Sequence, residues 1–164
     1  MHSLYDFCNW LNDTNSSTAI RESILLFPVI EGIHLLAIGV SAGMIALTDL
    51  RLLGVTMKKD PASKVLASIL PFTIGGFVVV FITGLCLFWA EPAKSYRNPW
   101  FRFKLLFLLL AGLNALFFHL GIYRRMNQWD NDPVPPVKAR VAGALSLVIW
   151  ATVIWLGRQF AYSS

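Results

Sequence analysis

The spacing of charges constrains this chain more than any other feature. Val65 to Ala90 contains no Asp, Glu, Lys or Arg; neither does Leu105 to Tyr123 or Val141 to Gly157, and Ile24 to Thr48 contains only Glu31. A bilayer core about 30 Å thick is crossed by roughly 20 apolar residues of helix, with about 17 at the lower end. All four stretches reach that length, the last only just. Hydrocarbon offers backbone N–H and C=O groups no partner, so each stretch must bond internally as an α-helix. The sequence therefore predicts an all-α fold: an integral membrane antiparallel four-helix bundle forming one domain, with spans at about 24–48, 65–90, 103–123 and 139–160.

Composition agrees with that reading. Apolar residues make up 56% and charged residues 14% of the chain, against about 45–50% and about 25% in ordinary globular proteins. Mean hydropathy is +0.60, so membrane lipid is the main partner of the surface. Two cysteines do not make a disulfide scaffold, and the net charge of +5 is divided among short clusters between apolar runs. That is the pattern of membrane loops and not of a nucleic-acid-binding face.

Connections carry their own stop signals. Pro61, Glu91-Pro92, Asn98-Pro99 and Asp132-Pro133 with Pro135-Pro136 stand between the spans, while Pro28 and Pro71 fall inside or near the starts of theirs and are expected to kink them. Residues 1–20 lack the basic and apolar regions of a signal peptide. Leu4, Phe7, Cys8 and Leu11 recur at helical spacing there, which predicts a short amphipathic helix on the membrane surface. Eight Lys and Arg residues fall on the side of the first and third loops and six on the other. The positive-inside rule then puts both termini outside, in the periplasm if the chain is bacterial.

Function must be sought among polar residues inside the spans, where they are costly. Glu31 and His34 are three apart and so share one surface of the first span, with Ser41 on nearly the same face. Gly39 and Gly43 form a G-x-x-x-G pair on the opposite face, suited to packing against another helix or a second copy of the chain. In the third span Gly112 and Ala115 leave room beside His119, and Asn114 points elsewhere, toward a helix–helix hydrogen bond. Two histidines flanked by small residues suit haem b, with Lys104, Arg102 and Arg158 available for its propionates. The two imidazoles nevertheless differ in depth by roughly 12 Å at 1.5 Å of rise per residue. The alternatives are a five-coordinate haem on one His, ligation through a different second residue, or one haem near each face. The bland alternative is a histidine hydrogen-bonded to Glu31, and for Asp49 and Arg51 an ion pair or headgroup contact at the membrane interface.

Nearly the whole chain resembles an uncharacterised family of small four-span bacterial membrane proteins. The matching pieces are Ala19-Ile20-Arg21-Glu22-Ser23, Phe27-Pro28, Glu31 with His34, Asp49 to Gly54, Thr83-Gly84, Asn98-Pro99, Lys104, Asn114 to His119 and Gly157-Arg158. More distantly, His34-Leu35-Leu36-Ala37, Ala42-Gly43, Arg51-Leu52 and Lys104-Leu105-Leu106 are similar to the first and third spans of haem-containing membrane protoporphyrinogen oxidases and of the copper-resistance D membrane domain. That resemblance implies haem binding through His34 and Lys104.

The expectation is thus a cytochrome b-like protein of the cytoplasmic membrane, engaged in electron transfer or in redox or ligand sensing. His34 and His119 would be iron ligands, Lys104 and Arg158 propionate partners, with Glu31 and Asn114 in support. A haem-dependent oxidoreductase acting on a porphyrin or quinone is one alternative. A non-haem proton- or metal-coupled transporter or assembly factor built on Glu31, His34 and His119 is another.

Overall fold

The structure, a computed structural model, describes residues 2–163. Among the described residues there are seven α-helices: α1 (His2–Asn12), α2 (Asn15–Arg21), α3 (Leu26–Leu52), α4 (Ala62–Ala90), α5 (Pro92–Arg97), α6 (Pro99–Phe117) and α7 (Val137–Tyr162). Beyond α6 the coil continues through a π-helical turn (Phe118–Ile122) and a 3-10 segment (Tyr123–Gln128). Four helices, α3, α4, α6 with its continuation, and α7, are long and apolar enough to cross a membrane. They form an up-and-down antiparallel bundle whose outer faces are apolar, as in Leu36, Phe81, Phe117 and Val148. The chain is a multi-pass membrane protein by this architecture.

Every span is longer than charge spacing alone indicated. α3 runs on through Asp49 and Arg51 to Leu52, and the third span begins at Pro99, carrying Arg102 and Lys104 inside it. Nothing obliges a helix to stop where its charges begin, because its own hydrogen bonds continue into the interface. Pro28 falls in the first turn of α3, where an absent N–H costs no hydrogen bond, so the expected kink is not required there. Pro71 is interior to α4 and has no N–H to offer the Ala67 carbonyl.

The amphipathic segment divides in two. Thr14 accepts from the Ser17 N–H at 3.3 Å and starts α2 as a separate helix. In α1, Cys8 and Leu11 are buried while Leu4, Phe7 and Trp10 are exposed beside the bundle. α2 closes the end of α4: Ser17 Oγ and Arg21 Nη1 both donate to the Ala90 carbonyl, at 3.1 and 3.3 Å.

Packing between spans is uneven. α3 lies tightly along α4, α7 along α6, and α3 along α7. Ala37 and Ser41 of α3 press on Gly76, where an added Cβ would collide with Ser41 Oγ, and Gly143 of α7 lies 3.1 Å by the same measure from the Asp49 carbonyl oxygen. Small residues thus set the helix spacing, but the G-x-x-x-G pair of α3 is not among them. Gly39 and Gly43 have nothing within 4 Å of an added Cβ and lie on a face that no helix covers. The part of the polar face of α3 that carries His34 and Ser41 is its packed face.

The end where loops join α3 to α4 and α6 to α7, here the loop end, is held by polar contacts. Arg51 is fully buried, and its Nη2 donates to the carbonyls of Asp60 (3.0 Å) and Asp132 (3.3 Å), one from each loop. Asp130 accepts from the Ser63 N–H and hydroxyl at 2.7 and 2.8 Å, capping α4 from the other hairpin. The opposite, terminal end holds α1, α2, α5 and the ring contacts Phe88–Phe101 and Trp100–Trp155.

Candidate functional site

Two polar centres lie inside the bundle, one toward each end. At the terminal end His34 is buried on α3, with Nδ1 2.8 Å from Thr83 Oγ1 of α4. The Thr83 hydroxyl itself donates to the Val79 carbonyl at 2.6 Å. Its one proton is therefore committed, and Oγ1 accepts from the imidazole. That assignment puts the hydrogen on Nδ1, where the Val80 carbonyl, which can only accept, is a second acceptor, and it leaves the Nε2 lone pair without a donor, the tautomer that ligates metals. Gly84 makes room for the ring, since a Cβ there would stand 3.2 Å from His34 Cε1. Lys104 of α6 lies within electrostatic reach of His34 and packs on Gly157 of α7. Its ammonium has no hydrogen bond or ion pair among the described residues.

Toward the loop end, a cavity of about 570 Å³ occupies the space between α4 and α6. Leu66, Leu70, Phe77, Leu108 and Trp150 supply much of its apolar wall, and Gly112, Ala111 and Ala115 keep it open. Its polar side chains are Thr48, Asp49, Thr73, Asn114, His119 and Ser146, with Tyr123 at the loop end. Ala67, Leu70, Ala115 and His119 are exposed along the rim, so the cavity opens sideways between two helices that are not packed together there.

His119 stands in the π-helical turn. Its Nδ1 is 3.0 Å from the Ala115 carbonyl, which can only accept, so here too the hydrogen is on Nδ1 and Nε2 is free. The ring stacks on Tyr123 at 5.4 Å. Asp49 is 4% exposed and sits beside the Ser146 hydroxyl, yet its Oδ2 has no hydrogen-bond partner.

The predicted residues are thus only partly brought together. His34 and Lys104 share the terminal-end centre; His119 and Asn114 belong to the cavity. His34 lies eight residues into α3 and His119 twenty residues beyond the start of α6, which separates them by about 18 Å in depth. Glu31 is exposed and makes no bond to His34, and Arg158 is exposed over the Tyr162 ring at 5.4 Å. Asn114 donates to the Ala142 carbonyl of α7 at 3.0 Å, the helix–helix bond expected of it. Asp49 and Arg51 do not pair, because residues two apart point to different sides of a helix. Thr83 and Ser146 join the site from stripes of small residues in the second span (Thr73, Gly76, Thr83, Gly84) and the fourth (Ser146, Gly157), and Asp49 from a position that reads as membrane interface.

Against haem, the two centres differ in chemistry. His34 and Lys104 offer an imidazole nitrogen and an unpaired cation, the donor set for iron and a propionate. The cavity also offers an imidazole, but its wall carries a buried carboxylate and no Lys or Arg, the wrong sign for an anionic group. No group of three His, Cys, Asp or Glu able to hold a bare metal ion occurs among the described residues.

A family model described as a family of unknown function (DUF6644) matches residues 26–163. No curated protein and no solved structure matches the chain.

Proposed function

The chain belongs to the DUF6644 family of unknown function, and from its own side chains we propose that it is a b-type haem protein of the bacterial cytoplasmic membrane. His34 would hold the iron and Lys104 a propionate. The observation that carries this reading is the bond from His34 Nδ1 to Thr83, which orients a buried imidazole and leaves its Nε2 free beside an unpaired ammonium. A half-buried cation without a partner inside a span is costly, and an anionic group delivered with the iron relieves it. Haem bound there would supply one-electron transfer or a coordination position for a diffusible ligand. The similarity of the His34 and Lys104 segments to the haem-containing oxidases supports the same two residues.

His119 lies too far in depth to share that iron. The reading therefore has one imidazole per iron, which suits ligand sensing at least as well as electron transfer. The Lys and Arg count supports a cytoplasmic loop end and periplasmic termini.

An absorption spectrum of protein produced with added haem precursor tests this. A Soret band is expected in the wild type, lost in His34→Ala, weakened in Lys104→Met and kept in His119→Ala. Colourless wild type, or an unchanged band in His34→Ala, would overturn it.

A further inference from the structure

We infer that the loop-end cavity is a binding site for a lipid-soluble organic cation, with Asp49 as its counter-ion. Asp49 is 4% exposed, its Oδ2 lacks any hydrogen-bond donor, and it forms part of the wall of a cavity of about 570 Å³. That size falls in the range of small-molecule pockets, roughly 300–1,000 Å³. A carboxylate placed this deep needs either a proton or a positive partner, and no Lys or Arg lines the cavity. Arg51, the nearest cation in sequence, is turned to the loops.

The rest of the wall suits the same occupant. Phe77, Phe118, Tyr123 and Trp150 contribute aromatic rings, with Phe77 and Trp150 in contact at 5.2 Å. Aromatic faces attract cations, more strongly where water is excluded. Thr48, Thr73 and Ser146 add hydroxyl oxygens, and the Ala67 carbonyl lacks the donor that Pro71 cannot supply. The remaining titratable side chains on the wall are His119 and Tyr123. Because the opening lies between α4 and α6, a ligand dissolved in the bilayer can enter without crossing water. An anionic amphiphile would meet Asp49 instead of a cation, and a neutral one would leave the carboxylate unpaired.

Tetraphenylphosphonium binding to the purified full-length protein in detergent, followed by equilibrium dialysis and by Trp150-sensitive fluorescence, is the test. Saturable binding is expected, weakened at least tenfold by Asp49→Asn and largely restored in Asp49→Glu. Gly112→Leu, which fills the cavity and leaves the carboxylate, should weaken it comparably. Glu31→Gln, which removes the other carboxylate of α3, should leave it unchanged. Neutral triphenylphosphine oxide should bind at least tenfold more weakly than the cation. Should Asp49→Asn fail to fold, Gly112→Leu and the neutral analogue still decide the matter. Absence of saturable binding in the wild type, equal affinity for the neutral analogue, or full affinity in a folded Asp49→Asn protein would each overturn the assignment.

Discussion

The two ends of the bundle interior hold one histidine each, and the helices around them are packed in opposite ways. At the terminal end His34 stands in the tight seam between α3 and α4, its ring against Gly84 and its Nδ1 on Thr83. At the loop end His119 stands on the rim of a gap, bonded only to its own helix at Ala115 and stacked on Tyr123. The unpaired charges differ as well: an ammonium beside the first, a carboxylate across from the second. The same residue type is thus fixed by a partner helix in one place and left beside open space in the other. In hydrocarbon, where apolar packing does not by itself drive helices together, small residues decide which seam closes. Gly76, Gly84 and Gly143 sit where helices meet; Gly112 sits where they do not.

Substitutions can separate the two regions. The largest effect is expected from Gly84→Leu, which drives a side chain into the His34 ring. Such overpacking costs about 1–3 kcal/mol, and it should abolish the haem spectrum while the cavity keeps its affinity for tetraphenylphosphonium. Loss of both together, at a melting temperature close to wild type, would show that the two centres are one. Thr83→Val ranks next. It removes the acceptor for Nδ1–H, worth about 1 kcal/mol, and ¹⁵N shifts of the His34 ring should change from a single tautomer to a mixture; His119 should show no change. Arg158→Gln should do least. Its guanidinium is exposed over Tyr162, so both stability, within about 0.5 kcal/mol, and the spectrum should match wild type. A weakened Soret band in that variant would return Arg158 to the propionate role its position in sequence had implied.

The spans were legible because an uncharged run in hydrocarbon has only one backbone solution, and that holds whatever the helices pack against. His34 was legible for the same reason, as a costly group in a span. Its relation to Glu31 was not. Spacing of three puts both on one surface, but α4 covers only the part where His34 lies, so the imidazole is buried and the carboxylate exposed. Asp49 was hidden by its neighbour Arg51, with which an interfacial pair was the simplest expectation. Only the approach of α7 at Gly143 and Ser146 shows that the carboxylate lies in the cavity wall while the guanidinium goes to the loops. The π-helical turn at His119 left no mark in residue type. Thr83 became a partner of His34 through a contact across 49 residues of sequence, which local periodicity does not report.

The Arg51 contacts bear on how the protein is made. Asp60 belongs to the first hairpin, α3 with α4, whereas Asp132 and the Asp130 that caps α4 belong to the second, α6 with α7. Before the second hairpin is in place, Arg51 Nη2 has one of its two carbonyl acceptors and the first turn of α4 is uncapped. Docking of the second hairpin adds the Asp132 carbonyl to Nη2 and caps α4, while Nε and Nη1 stay without a partner. Membrane insertion of this chain therefore ends in a chemical check: until the second hairpin docks, Arg51 Nη2 and the first amides of α4 lack partners that the completed protein supplies.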